Sequence, residues 1–342
     1  MAEFSTPPRV KSKGKTDNSE LNTPIKIPAS PFLQQIGYGT GVAVYMMQRS
    51  PKVGSIRSPW AVKKWIKGRN NEINNKRLQL EADVLRQLNH PNIVGFRAFT
   101  KGLDGKPCLA MEALEMSLGD MIEERIDRLG DEPFPAKNIM RVGFEIAKGL
   151  KYLHHTAYIL HGDIKSWNIL VSDDFNVVKL CDFGTALPLT ESLELDSSKG
   201  NFSYVGTQCW NPPEIIFEDG SVTNAADIWT YGLTLWEMIS LSIPHTDELD
   251  ESFNASLTET DLTDNQLDDS NLAMENIFPK EVMSRASSKY GTRPALPAID
   301  LGKEYEKILE VFFICTTANY KLRPSAKALV NYFEKCASNK KK

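Results

Sequence analysis

The stretch "HGDIKSWNIL", His161 to Leu170, sets a carboxylate, a lysine and an asparagine at positions 163, 165 and 168. Asp163 can accept a proton from a hydroxyl group, Lys165 can neutralise a phosphoryl group, and Asn168 can offer a carbonyl oxygen to a hard cation. Downstream, "ILVSDDFNVVKLC" reads as two short strands and leads to a second carboxylate, Asp182 of "CDFG". Two oxygen ligands separated by a hairpin can meet at one magnesium ion. The reading is chemistry on a phosphate, with one departure: a glycine, Gly162, stands directly before the acid.

Working outward, "GYGTGVAVY" places three glycines between strand-like runs. Without Cβ atoms, backbone N–H groups there can approach phosphate oxygens, although the same residues would also serve a tight hairpin. Lys63 ends "AVK" in an apolar strand, and Glu81 lies on the helix that follows. Taken alone these are two ordinary charges, but a partly buried lysine beside phosphates needs a carboxylate partner. In this order, with the HxDxKxxN and DFG patterns behind them, they form a specific constellation.

The chain has 342 residues, enough for two lobes or domains. Forty basic and forty-four acidic residues leave a net charge of -4, which gives no ground for nucleic-acid or membrane-surface binding. No secretory leader is evident and no apolar run reaches the ~18 residues of a membrane span, so a soluble cytoplasmic or nuclear protein is expected. Five scattered cysteines without a CxxC pair read as reduced thiols.

Residues 1–31 are rich in Pro, Ser, Thr and Lys and read as a flexible tail. "QQIGYGTGVAVYMMQR" and "WAVKKWI" then predict adjacent antiparallel strands, "RLQLEADVLRQLNH" a helix, and "IVGFRAF" and "PCLAMEAL" two more strands. Beyond them the pattern turns helical: Ile139, Val142, Ile146, Leu150 and Leu153 mark one face, and "ADIWTYGLTLWEMISL" is apolar nearly all round. An acidic insertion spans 246–279, with ten acidic residues and no Lys or Arg between Asp247 and Glu275. It reads as a solvated segment, with a docking role as the alternative. Residues 339–342 form a basic tail.

In these motifs the chain resembles the eukaryotic protein kinase family over residues 32–338, and within it the MAP kinase kinases. The resemblance implies an α+β, two-lobed fold: an N-lobe (32–114) with a five-stranded antiparallel sheet plus one helix, and a mainly helical C-lobe (115–338). It also implies ATP and magnesium (Mg2+) as cofactors and protein substrates, MAP kinases among them. Lys63 would contact the α and β phosphates and pair with Glu81, Asp163 would be the catalytic base beside Lys165, and Asn168 and Asp182 would hold the metal. The nucleotide would lie against Ile36, Gly37, Gly39, Gly41, Val44 and Ala61, with Met111 guarding the adenine pocket and the backbone of Glu112 and Leu114 bonding adenine. Glu214 of "NPPE" would pair with Arg323, and Asp227 would support the loop of Asp163.

The chain departs from the family pattern at Val42, where a third loop glycine is usual, and at Gly162, where HRD has arginine. That arginine commonly grips an activation-loop phosphate, so its loss concerns control while the residues of the chemical step are all present. Lys165 and Thr207 resemble serine/threonine kinases, which is the expected class. Dual Thr/Tyr specificity is the alternative, and a pseudokinase scaffold acting through the acidic insertion is the rival of another kind. A P-loop NTPase is excluded because GxxxxGK[ST] does not occur. Ser203 stands where MAP kinase kinases often carry an activating phosphate, and Thr6 ("TPPR") and Thr23 ("TPIK") fit the Thr-Pro-x-basic pattern of cyclin-dependent kinases, with a mitotic phosphate expected at Thr6. "CASNKKK" lacks the terminal apolar residue that PDZ pockets bury, so PDZ binding is not expected. Cys181 should lie by the adenine pocket as a small buried residue, a reactive thiol being the alternative.

Overall fold

A computed structural model describes residues 33–39, 42–48, 59–65, 71–102, 105–246 and 289–339. Strand β1 (Leu33–Gly39) pairs antiparallel with β2 (Val42–Met47), and β2 with β3 (Trp60–Trp65). The β1–β2 register slips between Gln35 and Gly37, which leaves Ile36 without a cross-strand partner, as in a β-bulge. β4 (Phe96–Lys101) and β5 (Pro107–Glu112) complete a five-stranded sheet of order β1-β2-β3-β5-β4.

Strand alternation gives this sheet two buried faces. Ala61, Leu109 and Met111 join the main core, whereas Val62, Cys108 and Ala110 pack with Met47 in a smaller cluster. Helix α1 (Asn71–Gln87) carries Leu78, Ala82 and Leu85 on its core stripe, and Glu81 falls on the same stripe. The predicted "IVGFRAF" strand starts late, at Phe96, because Val94 N–H bonds Leu180 O at 2.9 Å and Ile93 bridges Leu180. Those backbone groups serve the second lobe instead.

Short strand β6 (Met116–Ser117) precedes helix α2 (Leu118–Leu129), whose start is fixed by a capping box. Ser117 Oγ accepts Asp120 N–H at 3.0 Å, and Asp120 Oδ2 accepts Ser117 N–H at 3.0 Å. In α3 (Ala136–Tyr152), Ile139, Val142, Ile146 and Leu150 are completely buried, as their spacing predicts. Each such side chain contributes about 1.5–3 kcal/mol of transfer free energy.

After β7 (Ile159–Leu160), β8 (Ile169–Val171) and β9 (Val178–Leu180) form the predicted hairpin, with Ile169 opposite Leu180 and β6 as third strand. β10 (Leu187–Pro188) pairs with β7. Helices α4 (Pro213–Ile216), α5 (Ala225–Ser240), α6 (Glu306–Cys315) and α7 (Ala326–Asn339) follow. α5 is buried from Ala225 to Ile239, and α7 runs through Asn339, the first residue expected in the tail. This is the two-lobed α+β architecture that the resemblance implies, and one continuous core joins Leu78, Leu109 and Met111 to Ile146, Ile169 and Phe183 across the lobes.

Candidate active site

The β3 register and the α1 stripe bring the first expected pair together. Val44 stands opposite both Gly37 and Lys63, and Lys63 Nζ lies 2.9 Å from Glu81 Oε2 and 2.8 Å from Asp182 Oδ1. Lys63 and Glu81 are both buried. Burial works against the Lys63 ammonium, but Asp182 and Glu81 outweigh it and push its pKa up. Desolvation works to raise the Asp182 carboxyl as well, yet Lys63 holds it down at about 2. Glu81 is the softer anion: burial pushes it up to about 7 against the pull of Lys63.

Around Asp163 the contacts are short and come from three directions. Thr207 Oγ1 donates to Oδ1 at 2.6 Å, and Lys165 Nζ and Asn168 Nδ2 reach Oδ2 at 3.0 and 2.9 Å. Lys165 Nζ also donates to Thr207 Oγ1 at 2.7 Å, which closes a triangle. Because the amide nitrogen of Asn168 is committed to Asp163, its carbonyl oxygen is the atom it can turn to a cation. Cys181 N–H donates to Asn168 O at 3.0 Å, so Asn168 and Asp182 sit on neighbouring backbone. Among the described residues no group of three or more His, Cys, Asp or Glu side chains can hold a metal. One carboxylate and one amide, completed by phosphate and water, suit magnesium.

The loop carrying Asp163 hangs from Asp227, as expected. Asp227 is fully buried and accepts His161 N–H at 2.8 Å, Gly162 N–H at 2.9 Å and a bond with His154 Nε2 at 2.8 Å. Burial works to raise this carboxyl, but His154, His161 and the Gly162 N–H together outweigh it and hold the pKa down. The His161 ring bonds Cys181 O at 2.9 Å and packs against Phe183, 4.9 Å between centroids. Gly162 has φ +80°, and a Cβ there would lie 2.8 Å from Thr185 O. The glycine therefore answers a backbone demand as well as removing an arginine. Farther along, Arg323 grips Glu214 with two bonds of 2.7 Å, and both side chains are buried.

On the nucleotide side, Ala61 pairs with Met111 across β3 and β5; both are buried, Val44 and Leu114 are half-buried, and Ile36 is exposed. Glu112 N–H is already bonded to Gly95 O at 2.8 Å, so only its carbonyl can serve adenine. Its side chain reaches Lys179 Nζ at 3.1 Å. Cys181 is buried, and burial pushes its thiol up, away from reactivity. Ser203 is exposed. Gly37 and Gly39 lie in β1, whereas Gly41, Thr6, Thr23 and the acidic insertion from Asp247 lie outside the described residues.

Three neighbours of the site escaped the motif reading: Thr185, which donates to His161 O at 3.2 Å, Ser166 and Glu237. Ser166 Oγ donates to Glu237 Oε1 at 2.6 Å. A signal for Glu237 was present, since it is the one ionisable residue in "LTLWEMISL".

A lysine–carboxylate pair under a sheet, an acid held on a loop and two oxygen-bearing side chains beside it are the arrangement of a phosphotransferase of the kinase type. The chain belongs to the protein kinase family: the family model for the protein kinase domain matches residues 31–333. It is 43% identical over 338 residues to the human "Lymphokine-activated killer T-cell-originated protein kinase", covering 98% of each chain. It is also similar to "Mitogen-activated protein kinase kinase kinase zak-1" of Caenorhabditis elegans, 31% identical over 54% of this chain and 25% of that one. "Mitogen-activated protein kinase kinase kinase 13-B" of Xenopus laevis is 34% identical over 53% of this chain and 18% of that one.

Proposed function

We propose that this protein is an ATP- and magnesium-dependent serine/threonine kinase in which Asp163 orients the acceptor hydroxyl and takes its proton. The observation that carries the reading is the setting of Asp163: Thr207 on Oδ1 at 2.6 Å, Lys165 on Oδ2 at 3.0 Å and Asn168 beside it. In this reading Lys63, held by Glu81, binds the α and β phosphates, and Lys165 balances charge on the group in transfer. Asp182 and the Asn168 carbonyl hold the metal. Bound ATP and magnesium supply the phosphoryl group and neutralise its charge. Everything else is positioning by the chain's own residues.

The Lys165–Thr207 contact supports Ser and Thr as acceptors. Relatives named as kinases of the mitogen-activated cascade support protein substrates in such a cascade. Five buried free thiols suit a reducing compartment, cytoplasm or nucleus. Ser203, exposed in the segment before Thr207, is proposed as an activating phosphosite, and Thr6 and Thr23 as targets of cyclin-dependent kinases. A Ser203→Ala protein that keeps full activity in cells would dispose of the first of these.

The test is transfer from labelled ATP with magnesium, wild type against Asp163→Asn. Loss of a general base lowers rates by about 10² to 10⁴-fold, which is the expected outcome. Equal rates would remove Asp163 from its role, and absence of transfer by the wild type would favour a scaffold. Phosphoamino-acid analysis of the product separates Ser/Thr from dual specificity.

A further inference from the structure

Glu237 is a buried carboxylate that none of the roles above uses. It lies on α5, 2% exposed, and its two oxygens take three hydrogen bonds. Ser166 Oγ donates to Oε1 at 2.6 Å, and Trp210 Nε1 and Ser166 N–H donate to Oε2 at 3.0 and 3.3 Å. Burial pushes the carboxyl up to about 7, against these donors and nearby Lys165. Holding a second buried acid on α5, besides Asp227, opposes folding, so a role in function is the natural place to look.

The donors come from two segments, and each segment bears one flank of Asp163. Ser166 follows Lys165 directly. Trp210 closes the turn Gln208–Trp210, with its backbone N–H on Thr207 O at 2.9 Å. The Trp210 ring also meets Trp167 edge-on, 5.9 Å between centroids, and lies 5.9 Å from Lys165 Nζ. Lys165 and Thr207 are the two residues that close the triangle on Asp163. One rigid carboxylate thus spans the bases of both arms.

We propose that Glu237 is a positioning residue for phosphoryl transfer: through Ser166 and Trp210 it sets the separation of Lys165 and Thr207, and so the aim of Asp163 at the acceptor hydroxyl. The inference rests on the reading of Asp163 given above. Displacing a reacting group by about 1 Å can cost about 100-fold in rate, so a contact this close to Asp163 has leverage. Lys63 and Asp182 make no contact with Glu237 among those described, so nucleotide binding should be insensitive to it.

The experiment compares kcat and the KM values for ATP and peptide in four single variants and one double variant, with Tm alongside. Glu237→Ala should lower kcat by about 10 to 100-fold and leave the KM for ATP within about twofold of wild type. Glu237→Gln should restore most of the rate. Its carbonyl can take the place of Oε2, and its amide can donate to Ser166 Oγ once that hydroxyl rotates. Ser166→Ala and Trp210→Phe each remove donors and should lower kcat less than additively when combined. A Glu237→Ala protein with wild-type kcat would overturn the proposal. So would Gln failing as badly as Ala with kcat, KM for ATP and Tm all moving together, the mark of a merely structural role. If Glu237→Ala does not fold, additive losses in the Ser166→Ala, Trp210→Phe pair overturn it. A wild type that transfers no phosphate removes the reading of Asp163 and this inference with it; an active wild type beside an unimpaired Glu237→Ala removes this inference alone.

Discussion

Arg323→Ala is the perturbation whose magnitude follows most directly from the structure. Arg323 Nη1 and Nη2 each bond a Glu214 oxygen at 2.7 Å, and the two side chains are 0% and 3% exposed. The guanidinium also donates to Ala225 O at 3.0 Å, Thr317 O at 2.8 Å and Ala318 O at 3.2 Å, and lies 4.9 Å from the Trp229 ring centre. Removing it leaves Glu214 charged, buried and unpartnered by its cation. Breaking a buried pair this way costs about 3–5 kcal/mol, and the further carbonyls left without a donor put this site at the upper end.

Glu214→Ala should cost less, since the guanidinium retains its three carbonyl acceptors. The double variant should be less destabilised than Arg323→Ala alone, because no charge is then stranded and only the carbonyls lose their donor. In a large domain, about 4 kcal/mol corresponds to a Tm lowered by about 8–16 °C. Thermal unfolding of the three variants with ligand-free protein measures this. Additive losses in the double variant, or an Arg323→Ala shift under about 2 °C, would refute the reasoning. Because Glu214 lies in the first turn of α4, shortly after the Thr207–Asn211 turn, loosening it should also lower peptide phosphorylation.

Burial holds the Glu81 carboxyl at about 7, above its ordinary 4.5, so folding favours its uncharged form. The stability this confers is complete below pH 4.5 and lost as pH rises through about 7, while the Lys63–Glu81 ion pair forms over the same range. kcat/KM for ATP should therefore rise from pH 6 to 8 in wild type; a Glu81→Gln profile with the same inflection would assign it to another group. Gly162→Ala should destabilise by about 1–3 kcal/mol, since φ is +80° and the new Cβ would meet Thr185 O. An unchanged urea midpoint in that variant would show that the loop relaxes freely.

Two rigid links explain why the lobes can hold the site in register. Leu180 N–H bonds Asn92 O at 2.9 Å, and Asn92 Nδ2 reaches Glu145 Oε2 at 2.7 Å and Val178 O at 3.0 Å. The turn after α1, the helix α3 and the strand before Asp182 are thereby tied together, and α1 is the helix that carries Glu81. A shift of that helix would be felt at both carboxylates that hold Lys63.

What the sequence by itself determined was the kind of chemistry and the order of the elements. Hydrophobic periodicity is local, so the α3 face from Ile139 to Leu150 and the β8–β9 hairpin could be read directly. Motif spacing likewise named Lys63, Glu81, Asp163, Asn168 and Asp182. The tertiary structure decided which of these groups touch, because contacts between residues 119 apart, as in Lys63–Asp182, depend on how two lobes pack. It alone placed Thr207 on Asp163 across 44 residues and Glu237 under Ser166 across 71. It also turned Gly162 from a missing arginine into a backbone requirement, since φ and the approach of Thr185 O are properties of the folded loop.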